Sequence, residues 1–497
     1  MNYSKSSLKP SRKGSSDSDT ISFDLLFELS YMSAIAAAGL PRSQIFDLAA
    51  ELPCSASKYL KEISTLSEKF RYDYAVACRM VGEKAKNESV KSLLLRLSSS
   101  LSSGEPEANF LNQEAHIQAE NFRNDYERRV ESLRKWSEAY AAMIVSAALI
   151  VMVAAVSMLI YPVGVGFIVT LTVLTIIVGV LGAWMIYRVA PKEIKIHQNG
   201  KYCKPLLRTK KLERILLPIA GITAVILLVA KVELGWVLMA VSCLVLPIGI
   251  SSLLFERQIN RKDRDISSFL RSLGNISSAT GITTSMALSR MDLRSTVALV
   301  PEVKKLRSRI ASKIKPDLCW QRFAVETGSE LIYRSVRMFH DATRLGGDPE
   351  TVGERSSLLA MSMDFLRAKR NQVSTSFNLL ALGLQASLVG LLIFVTQIVT
   401  TFGKIVAGVY EEAVANAPNR SLDVFSFNFS NIGILNNLTL PCLLILAGTT
   451  AFAINATDGG SRQRLYFYLA ITFGMSGLAM VLVPQITTML FSSVTIK

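Results

Sequence analysis

The sequence predicts an all-α, polytopic membrane protein with about seven transmembrane helices and two repeated cytoplasmic helical-bundle domains. Three observations carry this expectation. Several apolar runs are long and uncharged enough to cross the hydrocarbon core, which takes roughly 18 or more residues as a helix. The polar stretches place apolar residues at three- and four-residue spacing, the signature of amphipathic helices. Two short motifs also recur at a nearly constant offset, as a duplicated unit requires.

Residues 1–20 open the chain as a Ser-, Lys- and Arg-rich segment without an apolar core, so a disordered basic tail is expected and a cleavable signal peptide is not. Residues 21–137 read as the first cytoplasmic helical domain. A helix from Phe23 is broken at Gly39-Leu40-Pro41, and a second begins near Pro41. Further helical patterns cover Phe70–Glu83, Val90–Leu101 and about Glu107–Ser137. Residues 138–255 follow as four transmembrane helices. Ala139–Tyr161 and Val165–Tyr187 form one hairpin turned at Pro162-Val163-Gly164, and Ile215–Ala230 and Leu234–Phe255 form another, with Lys231 and Glu233 at its external turn.

The segment between the hairpins, 188–214, carries nine Lys or Arg against two Glu, which marks it as a cytoplasmic loop by the positive-inside rule. Residues 256–376 form the second cytoplasmic helical domain. Residues 377–497 hold three more spans, Phe377–Phe402, Leu435–Ile454 and Leu465–Phe491. The external loop at 403–432 contains Glu411, Glu412 and Asp423 with two basic residues. It also holds Asn-x-Ser/Thr triplets at Asn419 and Asn428, acceptors for glycosylation where that side meets the machinery. Every loop charge agrees with a multi-pass protein in the cell (plasma) membrane whose N-terminus is cytoplasmic.

The net charge of +16, with 55 Lys and Arg against 39 Asp and Glu, agrees with this topology and needs no nucleic-acid partner. The six cysteines form no Cys-x-x-Cys pair, and His116, His197 and His340 are far apart, so neither a disulfide framework nor a metal site is expected. No phosphate-binding loop, zinc-protease helix or Gly-x-Ser-x-Gly elbow occurs, so no cofactor and no catalytic residues are assigned, and the chain is not expected to be an enzyme. The spans lack Asp, Glu, Lys and Arg in their central parts, which disfavours a proton relay or an ion pathway. Gln385 and Gln397 in the fifth span are read as bonds to neighbouring helices, and Pro218, Pro247, Pro441 and Pro484 as kinks.

The repeat pairs Phe27–Leu48 with Phe269–Met291. Gly39 and Gly281 lie 242 positions apart (281 − 39), and Gly104-Glu105-Pro106-Glu107 matches Gly347-Asp348-Pro349-Glu350 at an offset of 243 (347 − 104). In both copies the first apolar span starts about 30 residues later. Gly39, Gly281, Gly104 and Gly347 are structural candidates, with Gly39 and Gly281 expected to end helices in the left-handed conformation. Asp348 is expected to cap the following helix, with Pro349 at its first position. The acidic groups of Glu105, Glu107, Asp348 and Glu350 are open to two readings, helix punctuation or contact with a partner.

Phe269, Arg271, Leu273, Ala279, Gly281, Ile282, Ala287 and Leu288, echoed by Phe27, Leu29, Ala38, Gly39 and Leu40, make up a unit that resembles the type II secretion system F-domain family. Each motif is short. Their order, duplication and alternation with spans give the likeness its specificity, and it covers most of the chain. Two long domains with four spans between them and three after them look most like the archaeal FlaJ-like branch, the membrane platforms of the archaellum and of type IV pili.

The resemblance implies a non-enzymatic platform that docks a cytoplasmic hexameric secretion ATPase and couples it to pilin- or archaellin-like subunits within the lipid membrane. A homodimer is left open. Arg208, Lys210, Lys211 and Arg214, with Lys304, Lys305, Arg307, Arg309, Lys313 and Lys315, are then candidates for docking an acidic surface; topology and solubility are the plainer account of the same charges. A membrane transporter or channel, and a membrane-anchored signalling scaffold, remain the alternatives.

Overall fold

The computed structural model describes residues 17–157, 165–197, 204–416 and 432–492. Among them there are helices, one short 3-10 turn and no strand; a single isolated bridge joins Ile196 and Ser329. Seven helices are long and apolar enough to cross a membrane, in agreement with the sequence expectation. Most of the tail at 1–20, the turn at 162–164, the middle of the loop at 188–214 and both glycosylation triplets lie outside the described residues.

The helices are α1 (Asp17–Ala36), α2 (Arg42–Ala50), α3 (Ser57–Phe70), α4 (Tyr74–Lys84), α5 (Glu88–Ser103), α6 (Glu107–Ser157), α7 (Val165–Val189) and α8 (Lys204–Val229). There follow α9 (Leu234–Thr280), α10 (Thr284–Arg290), α11 (Val300–Ala311), α12 (Pro316–Thr327), α13 (Glu330–Arg344), α14 (Pro349–Asn416), α15 (Ile432–Asp458) and α16 (Arg462–Ser492). Local chemistry sets their ends. Pro41, extended at φ −63°, precedes α2 rather than starting it. The helix expected over Phe70–Glu83 begins only at Tyr74. Arg71 turns left-handed at φ 59°, and the Asp73 carboxylate accepts the amide hydrogen of Ala75 at 3.1 Å. Asn87 caps α5 through the amides of Ser89 and Val90.

Polar and apolar stretches that the composition separates are continuous in α6, α9 and α14, of 51, 47 and 68 residues. At 1.5 Å per residue even 47 residues extend roughly 70 Å, about twice the hydrocarbon core, so each helix must project well beyond it. The basic segment expected to be a loop is likewise helical from Lys204 onward.

The chain divides into two compact units. One gathers residues 1–127, 191–203 and 258–367, placing most of both polar segments together; the other gathers 128–190, 204–257 and 368–497, the spans. In the polar unit, Phe27, Tyr31, Met32, Ile35, Ile63 and Leu94 fill the interior of the first segment. Phe269, Trp320, Phe323 and Phe339 form an aromatic cluster in the second, with ring centroids 5.8–6.5 Å apart. Helices α9 and α14 cross closely there: a Cβ added at Gly274 would lie 2.3 Å from the Pro349 carbonyl oxygen.

The membrane unit packs through small residues, as helices in lipid do where hydrophobic exclusion cannot drive association. A Cβ at Gly249 would lie 2.3 Å from Cα of Phe467, and one at Gly235 would lie 3.1 Å from the carbonyl oxygen of Gly477. Gln385 accepts a hydrogen bond from Thr450 at 3.0 Å, joining α14 to α15, and with Tyr140, Phe377 and Ala381 it lines a cavity of about 10 Å³.

Candidate interaction surfaces

Within the polar unit a buried network forms around Arg334. This side chain on α13 is 6% exposed, and its Nη1 donates to Asp24 Oδ1 of α1 at 2.7 Å while its Nε donates to Glu330 Oε1 at 2.9 Å. The guanidinium also lies over the rings of Phe23 and Phe27, 4.8 and 5.2 Å from their centroids. Asp24 is held from its other side by the amide and hydroxyl of Ser55, at 2.8 and 2.5 Å.

Residues 191–197 join this cluster. His197 Nδ1 sits 2.6 Å from Glu330 Oε2, and its ring stacks on Tyr333 at 4.3 Å. Its amide donates to the Gly328 carbonyl at 3.0 Å, and Lys195 accepts from the Glu330 amide at 3.1 Å. Thus three stretches far apart in sequence meet at one buried network. Burial works to raise the Glu330 pKa, but His197 and Arg334 together hold it below the ordinary carboxylate range. Glu28, one turn beyond Asp24, is 2% exposed. Burial pushes its carboxyl up to about 8, and the Asp24 charge adds to the rise.

A second buried group ties the same segment to the second polar stretch: Arg367 Nε donates to Glu193 Oε1 at 2.6 Å, and its Nη1 to Asp263. The membrane unit has its own charged cluster at the end of the spans. Arg370 donates to the carbonyls of Ala456 and Thr457 in the last turn of α15, both at 2.9 Å. Arg464 pairs with Asp458 and with Glu256, the latter at 3.1 Å, and Glu256 also accepts the Ser461 amide at 2.7 Å.

None of these networks emerges from sequence patterning. The available signal was charge within helical stretches: Asp24 and Glu28 sit on the apolar face of α1, and Asp458 and Arg464 flank a very short turn.

The residues singled out from sequence are distributed otherwise. Gly39, Gly281 and Gly104 are left-handed at φ 71°, 62° and 75°, whereas at the fourth position Gly346 takes that conformation, at φ 97°. Gly347 is buried, and a Cβ there would lie 2.9 Å from the Ala342 carbonyl oxygen. Asp348 accepts from the Thr351 amide at 3.0 Å and hydroxyl at 2.8 Å and from Ser278 at 3.1 Å; the Thr351 bonds above all hold its pKa low. Glu105 accepts from Ser100 at 2.9 Å, Glu107 pairs with Arg42 at 2.6 Å, and Glu350 is exposed.

The basic residues near 304 split by function. Arg307 donates to the Met291 carbonyl and Arg309 pairs with Glu326 at 2.5 Å, while Lys304, Lys305, Lys313 and Lys315 are exposed without an ion pair among the described residues. Arg208, Lys210, Lys211 and Arg214 are exposed along α8. Among the described residues no three His, Cys, Asp or Glu side chains converge as metal ligands would.

Seven apolar helices and a polar helical unit among the described residues describe a multi-pass membrane protein, and residues 29–155 match the type II secretion system protein F family. Over most of its length the chain is similar to the archaeal flagella accessory protein J. It is 23% identical to the Methanococcus voltae protein over 456 residues, covering 87% of this chain and 79% of the relative. To the Methanocaldococcus jannaschii protein it is 24% identical over 418 residues, covering 82% and 73%. No solved structure matches.

Proposed function

We propose that this protein is a membrane platform for assembling an archaellum or type IV pilus-like filament. In this reading the polar unit faces the cytoplasm, docks a hexameric secretion ATPase and passes its motions to pilin- or archaellin-like subunits at the spans. The likeness to flagella accessory protein J over most of the chain supports the class. The observation that carries the mechanical part is the continuity of α6, α9 and α14 from polar into apolar sequence. A continuous helix transmits displacement along its axis because its hydrogen-bonded backbone resists bending; α6 and α14 hold no internal proline after their first turn, whereas α9 carries Pro247 within its span. The buried Arg334 and Arg367 networks tie both polar segments together, which supports reading the polar unit as one body that moves as a whole. The protein carries no catalytic role of its own; the ATPase supplies the energy.

Lys304, Lys305, Lys313 and Lys315 are the cations best placed for an acidic ATPase surface, being exposed and free of ion pairs among the described residues. Glu350 is the corresponding candidate among the acids. Full-length protein in detergent with these four lysines changed to glutamate is expected to lose capture of the host's secretion ATPase by at least tenfold while inserting normally. Unchanged capture would remove the docking assignment, and a wild-type chain that captures no secretion ATPase would remove the platform reading itself.

A further inference from the structure

We propose that the basic turns of α8 form a binding site for anionic phospholipid on the outer surface of the membrane unit, rather than part of a protein dock. Two features of the helix lead there. Only 6% of the apolar stretch in Leu207–Val229 is buried, against 56% in Leu440–Asp458, so α8 is the span least covered by its neighbours among the described residues. Its rotational setting is nonetheless fixed. Thr209 and Ala220 are buried, and Glu213 accepts from Gln463 Nε2 at 3.2 Å and from the Tyr466 hydroxyl at 3.3 Å, both on α16.

At about 100° per residue, Thr209, Glu213 and Ala220 fall within one arc of roughly 40°, and Arg208, Lys210, Lys211 and Arg214 occupy roughly 100° to 260° on the far side. The exposed apolar residues Ile215, Ile222, Val225, Ile226 and Val229 lie in that same far arc. The four cations therefore continue, turn by turn, the surface that the span offers to acyl chains.

Depth agrees with direction. Arg208 to Arg214 covers about 9 Å of helix, close to the thickness of one headgroup layer, roughly 5–8 Å. Arg214 immediately precedes Ile215, so the charges end where the hydrocarbon begins. None of the four has an ion pair among the described residues. A phosphodiester seated there is met by guanidinium and ammonium donors while its chains lie along the isoleucine and valine face, a complementarity that an acidic protein surface reproduces only for the charges. Lys304, Lys305, Lys313 and Lys315 have exposed Ile314 and Leu318 nearby but stand on no helix long and apolar enough to cross a membrane.

The test uses the full chain reconstituted in bilayers of equal parts phosphatidylglycerol and phosphatidylcholine, re-extracted in mild detergent, with the retained lipids counted by mass spectrometry. The wild type is expected to retain an excess of phosphatidylglycerol that shrinks as salt rises. R208Q/K210Q/K211Q/R214Q is expected to lose it, by about fivefold in relative affinity per cation removed. K304Q/K305Q/K313Q/K315Q, of the same total charge, is expected to keep it. No salt-sensitive excess in the wild type, equal retention by the α8 variant, or equal loss in both variants would overturn the proposal. Loss of ATPase capture or of self-association in the α8 variant with its lipid excess intact would instead make the face a protein contact. Where the fourfold variant fails to insert, K211Q and R214Q singly carry the same test, each expected to weaken the excess by about fivefold.

Discussion

Helix α1 and the last turns of α9 sit at the same offset in the two polar segments, and each buries a phenylalanine, Phe27 and Phe269, at its centre. Around that shared residue they differ. Where α1 carries Asp24, Glu28 and Met32, α9 carries Ile266, Leu270 and Gly274. The α9 face is aliphatic and fully buried, and Gly274 lets α14 approach to backbone contact. The α1 face places its acids towards α13 and the Arg334 guanidinium. One pattern thus serves two tasks: α9 makes a core, and α1 makes a junction. Aliphatic burial supplies stability without specifying a mate, whereas a buried ion pair penalises every arrangement that leaves it open.

The largest effect is expected from breaking that junction. Arg334→Met would leave Asp24 and Glu330 buried without their cation, a loss of about 3–5 kcal/mol. The thermal midpoint of the full-length protein in detergent should fall sharply. Adding Asp24→Asn to the same chain should recover part of the loss, since it removes one stranded charge. A midpoint unmoved by Arg334→Met would show that the junction contributes nothing and that the two segments cohere through apolar contacts alone.

A smaller loss is expected on the α9 side, through sterics instead of charge. The methyl of Gly274→Ala would meet the Pro349 carbonyl oxygen at 2.3 Å, and the backbone of α14 cannot yield as a side chain would. Overpacking of this kind costs about 1–3 kcal/mol. Gly353→Ala, whose methyl would lie 2.9 Å from the Leu270 carbonyl oxygen, should act in the same direction and less strongly. If both variants melt with the wild type, the crossing is looser than its geometry and the contrast with α1 loses its second half.

Much of the architecture is legible in the sequence because it rests on one-dimensional quantities. Span length, loop charge and helix punctuation are local, so the seven apolar helices and the left-handed Gly39 and Gly281 can be read directly. The family match at 29–155 falls on the first segment, where the quoted motif residues are sparser, so a short pattern is a weaker guide than a profile of the whole unit. The networks at Arg334 and Arg367 are another matter. Asp24 and Arg334 are 310 residues apart, and Glu193 and Arg367 are 174 apart. Nothing in periodicity relates such positions, and a cation in an amphipathic helix reads as solvated until its partner is seen. The basic residues near 304 show the same limit, because Arg307 and Arg309 are committed inside the fold while their lysine neighbours are not.

The smallest and most diagnostic effect belongs to Glu28, whose counterpart by offset is Leu270. Burial raises its carboxyl from 4.5 to about 8, so the folded protein binds this proton more tightly than the unfolded chain does. The sign follows. Its contribution is fully present below pH 4.5 and is lost as pH rises through 8, where the folded state must hold a buried carboxylate beside Asp24. Glu28→Gln keeps the shape and removes the titration. Its thermal midpoint should match the wild type near pH 5 and exceed it by a growing margin as pH rises to 8. Glu28→Leu, which copies the α9 residue, should show the same pH-independence. Parallel pH profiles for wild type and Glu28→Gln would mean that the carboxyl titrates normally, and that α1 differs from α9 only through the Asp24 pair.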